Sequence, residues 1–348
     1  GTFASIAEYL AVADGMNDGG GGLFQAVLDF DTKAGHEVQL LQAMAERCGD
    51  VLFSGGVGDG GQGPLDFYGT FLPAVRANAG RITTLSMTRP SGTLMGLYQV
   101  PPVRGRAWAA VMAMPTIAER VAALKDPTTR EALAEEGRRK GLIYQADRIH
   151  PLGNATLPDY HMEQPVSLAQ MATEAGVHPV DIVIDRLIES DGHELFNMWF
   201  YNAGTSTLGE LLKMDHVYPG LGDAGAHAGQ ICDADASTHY LTYWHRTKRL
   251  VELPEAVRRL TSYPAGVLGL KERGTLQVGH FADINVFDID TLASDHPTYV
   301  NDFPGGSGRL MAKSRGYAAT LVNGKVVTEQ GRHSGERPGR VIREFARG

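Results

Sequence analysis

Cysteine is scarce in this chain: Cys48 and Cys232 are the only two in 348 residues. Two thiols cannot build a multi-bridge framework, and their rarity fits a reducing cytoplasm. Concentrated positive charge is also missing. Thirty-two Lys and Arg stand against 40 Asp and Glu, a net charge of −8, and no basic block occurs. That argues against a nucleic-acid partner. No run approaches the ~18 apolar residues of a membrane helix, which argues against a membrane-spanning segment. The chain opens on Gly1-Thr2-Phe3 without an initiator Met, so it is expected to belong to a longer protein. Against these shortages stand 43% apolar and 21% charged residues, ample for a buried core and unlike a disordered or collagen-like chain. The one excess is glycine, 43 residues, well above the ~7% of ordinary proteins.

Along the chain, apolar strand-like runs alternate with helical periodicity. Leu23–Asp29, Val51–Phe53 and Arg81–Thr88 read as strands, and 36–47 and 67–78 as the helices between them. This rhythm predicts parallel strands joined by crossovers, in a doubly wound sheet or a barrel. Residues 118–140 form amphipathic helix interrupted at Asp126-Pro127, and 148–163 read as loop. Helices follow at 167–175, with Ser167 as N-cap, and at 179–189. Leu195–Tyr201 and Val217–Gly222 are the next strands. A helix at 255–262 ends at Pro264-Ala265. Asn323-Gly324 between β-branched runs marks a hairpin in an antiparallel C-terminal part.

The most distinctive segment is Gly222-Asp223-Ala224-Gly225-Ala226-His227. A carboxylate after a strand, among small residues, suits the chemistry-bearing end of a barrel strand. It equally suits a turn or helix cap. In order behind it come Cys232-Asp233-Ala234, the run 257–265 from Val257 to Ala265, the run 268–274, the run 279–288 ending Val286-Phe287-Asp288, and Val322-Asn323-Gly324. This ordered series resembles the C-terminal portion of the amidohydrolase superfamily, in the branch of N-acyl-D-amino-acid deacylases. The resemblance is strongest over about 195–330, where several independent motifs keep their order.

The resemblance implies an α/β fold: a (β/α)8 TIM-barrel-type amidohydrolase barrel, N-terminally incomplete, with a small β-sandwich part. The barrel is expected over residues 1–265, from about the fourth strand onward, and the sandwich segment and tail over 266–348. It implies a hydrolase of non-peptide C–N bonds acting on a small molecule, most directly an N-acyl-D-amino acid. A cyclic amide or imide substrate, or a non-catalytic scaffold, are the alternatives. It implies a divalent metal, zinc, with Asp223 as metal contact and as the carboxylate that moves the proton of the attacking water. His227 is a candidate substrate contact or orienting group. Asp29, closing strand four, is a candidate polar contact, Arg89 at the end of strand six a candidate grip for a substrate carboxylate, and Asn202, after strand seven, a candidate pocket residue. For Asp29 and Arg89 the plainer alternatives are a loop-capping carboxylate and a surface or helix-pairing arginine.

The departures from the family pattern are equally specific. No two of the twelve histidines stand two positions apart, so the chain has no His-x-His. The strand ends that often carry ligand histidines read Phe53-Ser54-Gly55-Gly56 and Met87-Thr88-Arg89-Pro90. One Asp is a poor zinc site, since zinc takes three or four protein ligands. The first three strands have no counterpart, so an N-terminal part of the same protein is expected as partner. A homo-oligomer remains open. The run 55–61 lacks the Lys-Ser/Thr of a phosphate loop, and Cys232, flanked by acids, is expected to have a raised pKa and to be no nucleophile.

Overall fold

The computed structural model describes residues 4–27, 34–57, 72–78, 80–154, 158–160, 165–220, 222, 229–343 and 345. Helix α1 (Ile6–Asp18) starts on a capping box in which Ser5 and Glu8 satisfy each other's backbone donors. Strand β1 (Leu23–Val27) follows, then α2 (Ala34–Cys48), β2 (Asp50–Ser54), α3 (Leu72–Ala77) and β3 (Ile82–Ser86). β1 pairs β2 in parallel, and β2 pairs β3 in parallel with Val51 opposite Ile82. This is the crossover arrangement expected from the strand–helix rhythm.

The chain then leaves the sheet. Strand β4 (Ser91–Gly96) leads to helices α4 (Arg106–Met112), α5 (Ile117–Lys125) and α6 (Pro127–Lys140). Asp126 both ends α5 and caps α6, and Pro127 sits where its missing N–H costs nothing. Strand β5 (Ile149–Asn154), helices α7 (Leu168–Ala175) and α8 (Pro179–Glu189) and strand β6 (Glu194–Tyr201) complete the excursion. Ser167 caps α7 as expected, and Gly176 closes it in the left-handed region at φ 67°.

Two expectations are corrected here. The stretch 148–163 contains a strand rather than only loop. And 195–201 is not a seventh parallel strand: β6 lies between β4 and β5 in an antiparallel sheet of its own. Its pairing with Ser91–Gly96, a strand not anticipated, draws it away. One face of this sheet, carrying Phe196, Met198 and Ile149, packs on Trp108, Leu124, Leu133, Val183 and Leu187 from the helices. The other face, with Leu94, Leu152 and Leu195, meets Tyr160 and Cys232.

After α9 (Thr205–Lys213), β7 (Val217–Pro219) returns to the first sheet and pairs in parallel with β3, giving the order β1-β2-β3-β7. Phe53, Ile82 and Val217 share a core with Leu41 and Met44 of α2 and Leu208 and Leu211 of α9. α10 (Ala236–His239) runs into a π-helical stretch, 240–247, followed by α11 (Leu253–Leu260) and α12 (Ser262–Val267). Pro264 lies inside α12, so it does not end the helix before it. The guanidinium of buried Arg259 donates to the carbonyls of Leu212, Lys213, Met214 and Val217, closing the exit of α9.

The C-terminal part is antiparallel. β8 (Ile284–Phe287) pairs with β13 (Tyr317–Val322), which pairs with β14 (Lys325–Glu329), edged by β15 (Arg332–His333). The short strands β9 (Ala293–Ser294), β10 (Thr298–Val300), β11 (Arg309–Met311) and β12 (Ser314–Arg315) form two-stranded pairs. Asn323 and Gly324, at φ 48° and 77°, make the expected hairpin turn. The parallel strands with their covering helices and this antiparallel part form an incomplete barrel with a C-terminal β appendage.

Candidate active site

The carboxyl ends of the parallel strands are unusually polar for buried backbone. Ser54, Ser86, Thr88 and Arg89 are all buried there. Asn202 joins them from the end of β6. Its side-chain amide donates to the Met87 carbonyl at 3.1 Å and the Ser86 hydroxyl at 3.3 Å, and its oxygen accepts from Val57 N at 3.0 Å. Asn202 takes φ 58°, a conformation Asn tolerates better than most residues. One side chain thus ties the ends of β2 and β3 together, so Asn202 reaches the strand ends although its own strand lies in another sheet. Gly56 has to be small here: a Cβ would stand 2.7 Å from the Tyr201 ring.

Beside this lies a buried charge cluster. Arg89 Nη2 donates to Asp235 Oδ2 at 2.8 Å, and Arg89 Nε lies 3.9 Å from Asp233 Oδ1. Ser91 Oγ donates to Asp233 Oδ2 at 2.5 Å. The hydroxyl of Tyr160 accepts from Cys232 N at 3.2 Å, and the Arg89 guanidinium lies 5.9 Å from the Tyr160 ring centre. Asp233 Oδ1 and Asp235 Oδ1 are buried without a hydrogen bond among the described residues. Burial pushes the Asp233 carboxyl up to about 6, only partly offset by Arg89 and the Ser91 hydroxyl. Arg89 itself ends above its ordinary value: burial pulls it down, and Asp235 and Asp233 more than reverse this. The Cys232 thiol is pushed up to about 12 by burial and then by Asp233 and Asp235, as its acidic neighbours imply.

Of the sequence-expected site residues, Arg89 and Asn202 come together at the strand ends. Asp29, Asp223 and His227 lie outside the described residues. Arg89 is not the surface or helix-pairing arginine of the plainer alternative; its guanidinium is engaged within the cluster. Asp233, Asp235, Ser91 and Tyr160 were not singled out for a role at the site. The signal available for the two aspartates was their recurrence ten and twelve positions after Asp223, but Ser91 and Tyr160 had none. Among the described residues no group of three or more His, Cys, Asp or Glu could hold a metal ion. The described strand ends offer hydroxyls and an amide, donors that suit zinc poorly.

The model of the Amidohydrolase family matches residues 75–328. The chain belongs to the amidohydrolase family. N-acyl-D-glutamate deacylase of Alcaligenes xylosoxydans xylosoxydans is 40% identical over 109 residues, 31% of this chain and 20% of that protein. An uncharacterized protein of Mycobacterium tuberculosis is 27% identical over 233 residues, 61% of this chain and 38% of that protein. The fold is also that of N-acyl-D-glutamate deacylase from Bordetella bronchiseptica, solved with zinc and a phosphonate inhibitor. The TM-score is 0.55 at 21% identity, covering 98% of this chain and 60% of that one. The matched stretches therefore span a fifth to three fifths of these relatives. Among the described residues no helix is long and apolar enough to cross a membrane.

Proposed function

We propose that this chain supplies the later barrel strands and the C-terminal β part of a hydrolase that cleaves the amide of an N-acyl-D-amino acid. What carries this reading is the match of the family model across 75–328, on a fold whose parallel strands end in a buried polar zone. The named deacylase relatives point to the substrate class.

In this reaction water adds to the amide carbonyl, the C–N bond breaks, and a carboxylic acid and a free amine result. Asp223 takes the proton from the attacking water and returns it to the leaving nitrogen. It follows β7 by four positions in the chain, on the carboxyl side of that strand. His227 and Asp29 remain candidate contacts for the substrate. Asn202 keeps the ends of β2 and β3 in register. A zinc ion like that of the Bordetella enzyme would need ligands other than the described strand ends provide, and we propose that the N-terminal part of the same protein brings them. The barrel is proposed to occupy 1–265 and the sandwich segment 266–348, in the cytoplasm.

A second reading, a binding subunit without catalysis, draws support from the hydroxyl-bearing strand ends at Ser54 and Thr88. One assay separates the two. The full-length protein, purified with zinc, is given N-acetyl-D-glutamate, N-acetyl-D-aspartate, N-acetyl-D-methionine, their L-forms and a cyclic imide. Release of amine from the D-compounds is expected. Turnover of the imide alone would move the substrate class, and no turnover of any compound would leave the binding subunit.

A further inference from the structure

The buried cluster around Arg89 lies between the end of β3 and both flanks of the segment that bears Asp223. On the upstream side, Gly220 N donates to Ser86 O at 2.9 Å. Gly222 is so close to the Asp233 carbonyl that a Cβ would stand 2.6 Å from its oxygen. On the downstream side, Leu94 N donates to Gln230 O at 2.8 Å, and Thr88 Oγ1 donates to Ala236 O at 3.1 Å. Trp244 Nε1 in turn donates to Thr88 O at 2.6 Å. The short run 86–94 thus holds residues on each side of 223–228.

We propose that Arg89 is a positioning residue: through Asp235, with Asp233 and Ser91 completing the cluster, it locks both flanks of the Asp223 segment onto the carboxyl end of β3. This rests on the reading of Asp223 as the proton-moving carboxylate. The physical argument is one of cost and direction. Three charged side chains are buried together, and well-packed apolar side chains would fill the same space at a smaller desolvation cost. What an ion pair adds is direction: a planar guanidinium fixes the angle as well as the distance of its partners. The two carboxylates it meets are two residues apart on one short turn, which pins that turn in rotation. The same turn carries the carbonyl against which Gly222 rests. Held in this way, Arg89 contributes to the reaction through the backbone it positions.

The test compares full-length wild-type enzyme with Asp235→Asn by backbone hydrogen–deuterium exchange and by kinetics. Peptides covering 220–236 are expected to exchange at least tenfold faster, while those in β2 and α8 stay within twofold. With turnover, kcat is expected to fall about 100-fold and KM to stay within threefold. A folded variant with unchanged exchange at 220–236 overturns the proposal, and so does exchange that rises evenly through the molecule. If Asp235→Asn does not fold, Ser91→Ala, which removes one hydroxyl, is judged by the same two outcomes. The exchange measurement needs no substrate. An enzyme inactive on every N-acyl amino acid would therefore sink the functional reading and still decide the clamp.

Discussion

The parallel sheet and the antiparallel sheet use burial in opposite ways. In the antiparallel unit, the face bearing Phe196 and Met198 is sealed by helices with apolar side chains throughout. That is how a core is made when stability is the only demand. In the parallel unit, the strand bodies are largely apolar apart from Thr83 and Thr84 in β3, but the carboxyl ends bury Ser54, Ser86, Thr88 and Arg89. Buried polar groups cost stability unless fully bonded, and Asp233 and Asp235 each keep an oxygen without a hydrogen bond among the described residues. The difference teaches where selection has been for something other than stability. It also shows that the second unit is not a mere insertion, because its far face, through Tyr160 and Cys232, packs on the loop that the first unit's Arg89 holds.

The contrast can be broken in a definite order. Asp223→Asn should lower kcat by about 10²–10⁴-fold with little change in unfolding free energy; a variant as active as wild type would remove Asp223 from the chemistry. Phe196→Ala in the helix-covered core should do the reverse. It should cost about 3–5 kcal/mol in urea unfolding, with kcat/KM of the folded fraction within threefold; a large kinetic loss would mean the two units are not separable in this way.

The third test is pH. Asp233 has a folded pKa raised to about 6 from an ordinary 3.8. A carboxyl raised in this way adds stability that is full below about pH 4 and is lost as pH rises through 6. The shift corresponds to about 3 kcal/mol between pH 4 and 7. Asp233→Asn should flatten this decline in unfolding free energy, and parallel pH curves for the two proteins would refute it. The smallest effect is expected from Asn202→Ala, which leaves the Val57 N–H unsatisfied and places Ala at φ 58°. About 2 kcal/mol should be lost by thermal unfolding, with KM rising more than for Phe196→Ala. A loss below about 0.5 kcal/mol would show that the strand ends do not depend on it.

Much of the local structure was legible in the chain. Ser167 as an N-cap, Asp126 with Pro127 and Asn323 with Gly324 are short-range signals, because each satisfies its own backbone within three or four residues. The ordered motifs from Gly222 to Gly324 pointed to the family before any contact was known. β6 shows where such signals stop. Its apolar run says strand, but not with whom: an apolar residue is satisfied by any dry face, and the strands Ser91–Gly96 and Ile149–Asn154 decide that β6 runs antiparallel in a second sheet. Arg89 shows the same limit for charge. A lone arginine after a strand reads as a grip for an anion, and its partners, Asp233 and Asp235, stand more than 140 residues away. Sequence alone thus determined most of the helices and parallel strands, several caps and the family, since those depend on neighbours along the chain; it did not show β4 or β5. Tertiary structure alone decided which strands pair, that Asn202 arrives at the ends of β2 and β3, and that Arg89 is held inward, since burial and ion pairing depend on what folding brings within a few ångströms.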